Sequence, residues 1–368
     1  MEHNCKYCGT VVKAADGANK VFCSQCGNVV FDSSIQGIGN QSVPTAQQTE
    51  YDTKTKSNTP VIFALSIIAL ALLIAVIAIV GIYVVKPSND YKLACELMNN
   101  GNYIEAVAAF EELEPYKDSS ERIVECMYNM AQELYADGEY EKALDLYKKL
   151  GDYSDSTELA GKSVFKLQQE ALKSSRVGDI VEFGIYEQDN NPANGAEVIE
   201  WQVLEVNGNQ RLLISRYGID CRQYDSRNME LTWAKCELRS WLNGEFMQSA
   251  FTTERQNMII PTSVTNESNP YYGTWGGNNT VDNIYLLSYN EAALYFPTDE
   301  QRRVQPTAFT AFKNVEIKEG NCWWWLRTPG VYGVDVCGVQ HNGELDPKGV
   351  YVYGQRSAVR PVMWVTVE

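Results

Sequence analysis

Residues 61–85, VIFALSIIALALLIAVIAIVGIYVV, run for 25 positions without a charged side chain. A helix of about 20 apolar residues crosses the hydrocarbon layer of a bilayer, so this stretch is long enough with room for tilt. In a soluble fold, a helix apolar all round needs a core on every side, and the flanking sequence offers none. A cleaved signal peptide has a shorter apolar part nearer the N-terminus. The stretch therefore reads as a single transmembrane helix that divides the chain. Lys54 and Lys56 precede it while Lys86 and Lys92 follow it, so local positive charge leaves the orientation undecided.

The N-terminal side carries two C-x2-C pairs, Cys5/Cys8 and Cys23/Cys26, separated by fourteen residues. A two-residue spacer lets both thiolates of a turn face one tetrahedral ion, and Gly9 and Gly27 relieve the backbone after each pair. The expected occupant is a structural Zn2+ bound by Cys5, Cys8, Cys23 and Cys26. With four thiolates the site is closed and has no position for catalysis. Two disulfides are the competing reading and need an oxidising compartment. The zinc reading favours the cytoplasm, which puts the N-terminus inside and everything after residue 85 outside. Residues 1–31 resemble the short C-x-x-C-G zinc ribbons at the N-terminus of many bacterial membrane proteins. Residues 32–60, poor in apolar side chains, read as a flexible linker.

Beyond the membrane segment the chain repeats itself. GNYIEAVAAFEELEPYKDSSE (101–121) and GEYEKALDLYKKLGDYSDSTE (138–158) align at an offset of 37, matching Gly101 to Gly138, Ala106 to Ala143, Phe110 to Tyr147 and Asp118 to Asp155. Such a period predicts pairs of amphipathic helices over 86–175, with a last helix near 155–173. The pattern resembles the tetratricopeptide repeat, although that repeat has a period of about 34 residues. Two repeats make a short stack, expected to lift the next domain off the membrane or to bind peptide.

Charge narrows the function. Residues 86–173 hold 10 basic against 18 acidic side chains and residues 174–368 hold 16 against 24. Such a surface disfavours nucleic acid, whose phosphates need a basic face. Only His3 and His341 are available as histidine bases, and His341 sits before a predicted Asn342-Gly343 turn.

Residues 176–368 predict a mixed α+β domain. IEWQVLEV (199–206) and QRLLIS (210–215) flank NGN as a hairpin, and a second hairpin turns at Asn342-Gly343. Leu238, Trp241 and Leu242 have helical spacing behind Thr232 as a cap, and Ser288 with Glu291 makes a capping box. AVRPVMWVTV (358–367) reads as the closing strand. The blocks GDIVEFGIYEQD, IEWQVLEV, LRSWLNGEF, YLLSYNEAALYF, WWLRTPG and VRPVMWV, in this order, resemble domain of unknown function 6273 over about 176–368. More distantly, W-x-R-x-P/G followed by a closing x-R strand is similar to the formylglycine-generating-enzyme and C-type-lectin group. That group implies ligand display or copper-dependent oxidation of a cysteine. Cys322 with Cys337 and Cys221 with Cys236, each fifteen apart, are open as disulfides.

NCWWWLRTPG (321–330) is the most conspicuous block. On a strand, Trp323 and Trp325 share one face and Trp324 takes the other. One face is expected in the core, with Arg327 held by a buried carboxylate and Arg360 held likewise. The opposite face then contributes to a candidate ligand surface, whose candidate residues are Trp323, Trp324, Trp325, Arg327 and Arg360, since tryptophan and arginine dominate binding hot spots.

The expected protein is a single-pass bacterial surface binding or sensing protein. Its zinc ribbon meets a cytoplasmic protein partner, and its extracellular domain meets a cell-wall, glycan or protein ligand. The alternative is an extracellular enzyme, of the formylglycine-generating type or a carboxylate-based hydrolase, for which no catalytic residue stands out.

Overall fold

The computed structural model describes four short N-terminal strands, then residues 59–354 and 356–367. The strands are β1 (Glu2–Asn4) and β2 (Val11–Lys13), paired antiparallel, then β3 (Lys20–Phe22) and β4 (Val29–Asp32), also paired antiparallel. Cys5, Cys8, Cys23 and Cys26 lie outside the described residues. The chain divides into two compact units, Met1–Ile77 and Ala78–Glu368, and the division falls within the apolar helix.

That helix, α1 (Thr59–Val80), passes through a π-helical turn at Gly81–Val85 into α2 (Lys86–Asn99). The wide turn has a cause in the sequence. Pro87 stands at the start of α2 and has no N–H to return to the turn before it, and widening that turn avoids a clash. Every described residue from 68 to 80 is exposed. Leaving a Leu or Ile side chain in water forgoes about 1.5–3 kcal/mol, so covering such a surface is favourable. The helix is long and apolar enough to cross a membrane.

The helical stack continues through α3 (Tyr103–Glu111), α4 (Ser119–Ala136), α5 (Tyr140–Leu150) and α6 (Ser156–Ser174), each packed on its neighbour. The 37-residue offset is repeated in the packing. Ala94 and Ala131 are fully buried at equivalent positions, as are Ala106 and Ala143, where a methyl group allows close helix approach. Tyr91 donates its hydroxyl to Asp118, and Tyr128 does the same to Asp155. Gly101 and Gly138 end α2 and α4 with φ of 79° and 82°, a conformation glycine adopts without steric cost.

A third equivalent helix has a different partner. In α6, Phe165 and Gln168 occupy the Tyr128 and Ala131 positions. Phe165 lies under the Arg255 guanidinium at 5.0 Å, and Gln168 accepts a 2.6 Å hydrogen bond from Arg255. Arg211 donates to the Lys173 carbonyl at 2.6 Å and the Ser175 hydroxyl at 3.1 Å. Leu172 is buried in the same core as the C-terminal sheets. The stack therefore ends on the β-rich part, which supplies the surface a further helix would cover.

That part begins with β5 (Ile180–Tyr186), β6 (Glu197–Asn207), β7 (Gln210–Ser215) and β8 (Asp220–Cys221). Short helices follow: α7 (Glu237–Trp241), α8 (Met247–Ala250) and α9 (Thr253–Met258). Next come β9 (Thr262–Val264), β10 (Thr280–Asp282), α10 (Tyr289–Tyr295), α11 (Asp299–Arg302) and α12 (Ala308–Phe312). The chain closes through β11 (Ile317–Lys318), β12 (Asn321–Cys322), β13 (Trp324–Pro329), β14 (Asp335–Val339), β15 (Leu345–Tyr351), β16 (Ala358–Val359) and β17 (Val362–Thr366).

Two sheets share the core, one ordered β17-β7-β6-β5 and the other β15-β14-β13-β16-β8. The β6–β7 and β14–β15 hairpins form as expected, and Ser288 with Glu291 makes the expected capping box. Two expectations are corrected. The closing strand is two strands in different sheets, β16 and β17, because Pro361 between them offers no N–H to a ladder. Thr232 does not cap α7. A 3-10 turn at Trp233–Lys235 intervenes, and the Cys236 sulfur accepts from the Arg239 N–H instead.

Candidate functional site

The WWW block is interior. Every residue of β13 is buried, because both faces of its sheet are covered. Trp324 and Trp325 are each 0% exposed and donate their indole N–H groups to the carbonyls of Arg302 (3.0 Å) and Arg222 (2.8 Å). Trp323 precedes the strand, half-buried beside Gly338. Arg327 is held by a carboxylate, though a half-buried one and not the buried one expected: Glu291 takes both terminal nitrogens, the Nη2 bond measuring 2.7 Å. Its Nη1 also donates to the Leu286 carbonyl and its Nη2 to the Thr265 carbonyl.

Arg360 differs from expectation. Among the described residues no carboxylate holds it. Its Nε donates to the Ser215 carbonyl at 2.9 Å, and its guanidinium lies 4.9 Å from the Phe296 ring and 5.0 Å from the Trp324 ring. Its Nη1 has no hydrogen-bond partner, and burial pulls its pKa down to about 10. With Trp324, Trp325, Arg327 and Arg360 spent on packing, the stacking surface expected of the strand is not presented by these four, and Trp323 alone of the set is half-buried.

A group of exposed aromatic side chains lies elsewhere, on the loop between β9 and β10 and on the turn after β13. Trp275, Tyr271 and Tyr332 are 65–67% exposed. Asn269, itself buried, pins the loop. Its amide donates to the carbonyls of Pro329 and Pro347, both at 2.8 Å, and its oxygen accepts from the N–H groups of Tyr271 and Tyr272. Thr274 donates its hydroxyl to the Val331 carbonyl at 2.9 Å, and the Leu231 N–H meets the Gly333 carbonyl at 2.9 Å. Gly276 is required where the loop folds onto itself, since a Cβ there would stand 2.1 Å from the Glu267 carbonyl oxygen. Tyr271 leans edge-on against the buried Tyr289, ring centres 5.5 Å apart.

Three segments, 230–235, 274–278 and 331–333, thus bound a cleft of about 470 Å³. Trp275 and Tyr332 give it aromatic walls, while Glu230, Lys235, Thr232 and Asn278 supply both signs of charge and hydrogen-bonding groups. The floor is fixed by interior carboxylates. Asp282 accepts from the Trp233 indole (2.8 Å), Arg239 (2.6 Å) and Thr280 (2.7 Å). Burial alone would raise the pKa of Asp225, but hydrogen bonds from Arg227 and from the Arg227 and Glu237 backbone N–H groups outweigh it and hold the carboxyl below its ordinary value. The arrangement can grip a planar or ring-shaped polar group. Sequence reasoning passed over PYYGTWGGNN (270–279), although aromatic residues spaced by glycines fit neither helix nor strand periodicity.

The cysteines do not pair as considered. Cys236 donates to the Trp233 carbonyl and Cys337 to the Pro329 carbonyl, each as a thiol, so neither the 221/236 nor the 322/337 disulfide is formed. Cys322 faces Gly218 and Arg360, away from the surroundings of Cys337, and burial pushes both thiols up to about 12. His341 is half-buried at the β14–β15 turn. Three carboxylates, of Glu187, Asp189 and Glu197, gather within 4.8 Å of one another, with Glu197 accepting the N–H groups of Gln188 and Asp189 and so closing the β5–β6 loop.

No curated protein matches the chain, and no solved structure matches it. The family match begins later than the 176–368 expected, leaving β5 and all of β6 outside it. Residues 208–367, which contain the whole aromatic cleft, match the family described as Domain of unknown function (DUF6273), and the chain carries a domain of that family there.

Proposed function

We propose that the chain is a single-pass membrane protein that binds a glycan or a similar ring-bearing ligand in the cleft of its C-terminal domain. The observation that carries this reading is the pair of exposed aromatics, Trp275 and Tyr332, on the walls of a cleft with polar groups beside them, Trp275 standing on a pinned loop. Exposed aromatic side chains cost solvation unless something covers them, and holding them in fixed positions removes the ordering cost of binding. The N-terminal segment is a structural zinc ribbon in the cytoplasm, contacting a protein partner there. Its support is the paired C-x2-C spacing and the position of each pair in or beside the connection of a two-stranded hairpin. The C-terminal domain is extracellular in this reading, and the tetratricopeptide-like stack is its spacer.

Full-length protein in nanodiscs, screened against glycans and peptidoglycan fragments, tests the cleft. Trp275→Ala is expected to weaken binding by about 2 kcal/mol, roughly thirtyfold, as for a central hot-spot aromatic. Unchanged affinity in a folded Trp275→Ala protein would remove the cleft from consideration.

A further inference from the structure

Of the side chains lining the aromatic cleft, two are charged, Glu230 and Lys235. Among the described residues neither makes an ion pair or a side-chain hydrogen bond, with the other or with any third group. The charges around them are mated. Arg227 donates to Asp225 through bonds of 2.8 and 2.7 Å, and Arg239 donates to Asp282 at 2.6 Å. Glu237 borders a separate hollow.

The backbone fixes where each unmated charge stands. Glu230 lies across Gly333, where an added Cβ would be 3.0 Å from its Cβ and Cγ and 3.3 Å from its Cδ. Its carboxylate therefore sits by the turn that carries Tyr332. Lys235 ends the 3-10 turn begun by Trp233, whose indole is bound to Asp282 at 2.8 Å. The Lys235 carbonyl accepts Arg227 Nη2 at 3.1 Å, which holds its backbone and leaves the ammonium to the cleft. One acid and one base thus occupy the two ends of segment 230–235, with the Trp275 and Tyr332 walls beside them.

On the reading that this cleft is the ligand site, we infer that its ligand is a sugar ring bearing both an ammonium and a carboxylate group. Glu230 receives the ammonium, Lys235 the carboxylate, and Trp275 and Tyr332 the ring. Water solvates both charges in the empty cleft, and a ligand that covers them displaces it. A neutral ring leaves both uncompensated, and a ring of one sign leaves one so, at a desolvation cost that a ring of both signs avoids. An ammonium held by Glu230 beside an aromatic wall also gains from the face of the ring.

Four probes built on one hexose separate this assignment from the cleft reading beneath it. N-acetylglucosamine carries neither charge, glucosamine the ammonium, N-acetylmuramic acid the carboxylate, and muramic acid both. Their affinities for the full-length protein in nanodiscs are measured by calorimetry at a slightly acidic pH, where amine and carboxyl are both ionised. Each charge is expected to tighten binding about fivefold, so muramic acid binds best. Glu230→Gln is expected to abolish the gain from the ammonium alone, and Lys235→Met the gain from the carboxylate alone. Equal affinity for all four probes, lost in Trp275→Ala, would overturn the charge assignment and leave the cleft reading standing. A preference for muramic acid that survives both charge variants would also overturn it. Binding by none of the four would overturn it too, and the glycan screen would then decide the cleft by itself.

Discussion

Two buried arginines, alike in the sequence, do opposite things in the fold. Arg327 is paired: a bidentate carboxylate and two carbonyls take its terminal nitrogens, only its Nε lacks a partner, and removing it strands Glu291. Arg360 has one carbonyl, two aromatic faces and an unused nitrogen. Breaking a buried ion pair costs about 3–5 kcal/mol, and the partly exposed Glu291 side chain puts Arg327→Met at the low end of that range. Arg360→Met removes an unpaired charge from the core while keeping the apolar stem, so its stability is expected to be unchanged or higher. Urea unfolding of the two variants measures the contrast, and similar losses in both would contradict it. Both arginines were legible as buried from their places in WWLRTPG and VRPVMWV, but the partner of each lies in another element, which no local pattern encodes.

Among elements, the loop between β9 and β10 governs the cleft, and Asn269 governs the loop. Asn269→Ala removes two amide donations, to the end of β13 at Pro329 and to Pro347 within β15, and the acceptor for two loop N–H groups. Leaving those groups unpaired costs about 1–3 kcal/mol. Hydrogen exchange at 270–278 is expected to accelerate strongly in this variant while β13 stays protected. Equal acceleration in β13 would mean that the asparagine holds the core and not the loop. Helices, hairpins and the α10 cap were readable because their signals are periodic or confined to four residues. The 3-10 turn before α7 was missed because the tertiary environment of Trp233, hydrogen-bonded to Asp282, overrides the cap that Thr232 would supply.

For the molecule as a whole, the helical stack and the sheets belong to one compact unit, Ala78–Glu368. Arg255 and Arg211 bind α6 from the β-rich side, and Leu172 lies in the common core. A fragment cut at residue 176 loses these contacts and exposes the surface that α6 covers. It is expected to melt several degrees below the 78–368 fragment, since about 1 kcal/mol shifts the Tm of a 150–250-residue domain by about 2–4 °C. The longer fragment is expected to unfold in a single calorimetric transition. Two separate transitions, or equal Tm values, would show the stack to be a detachable spacer.

The sequence by itself determined the apolar helix, the 37-residue periodicity, most strand positions and the family of the C-terminal domain. These follow from hydrophobic runs, fixed spacings and turn residues, all of which act over a few positions. Only the tertiary structure decided which aromatics face water. Alternation along a strand says that neighbours point opposite ways, but not whether the far side is covered. Here both sides of β13 are packed, so the adjacent tryptophans Trp324 and Trp325 became core, while Trp275 and Tyr271 are exposed on a loop that glycines and one buried asparagine shape.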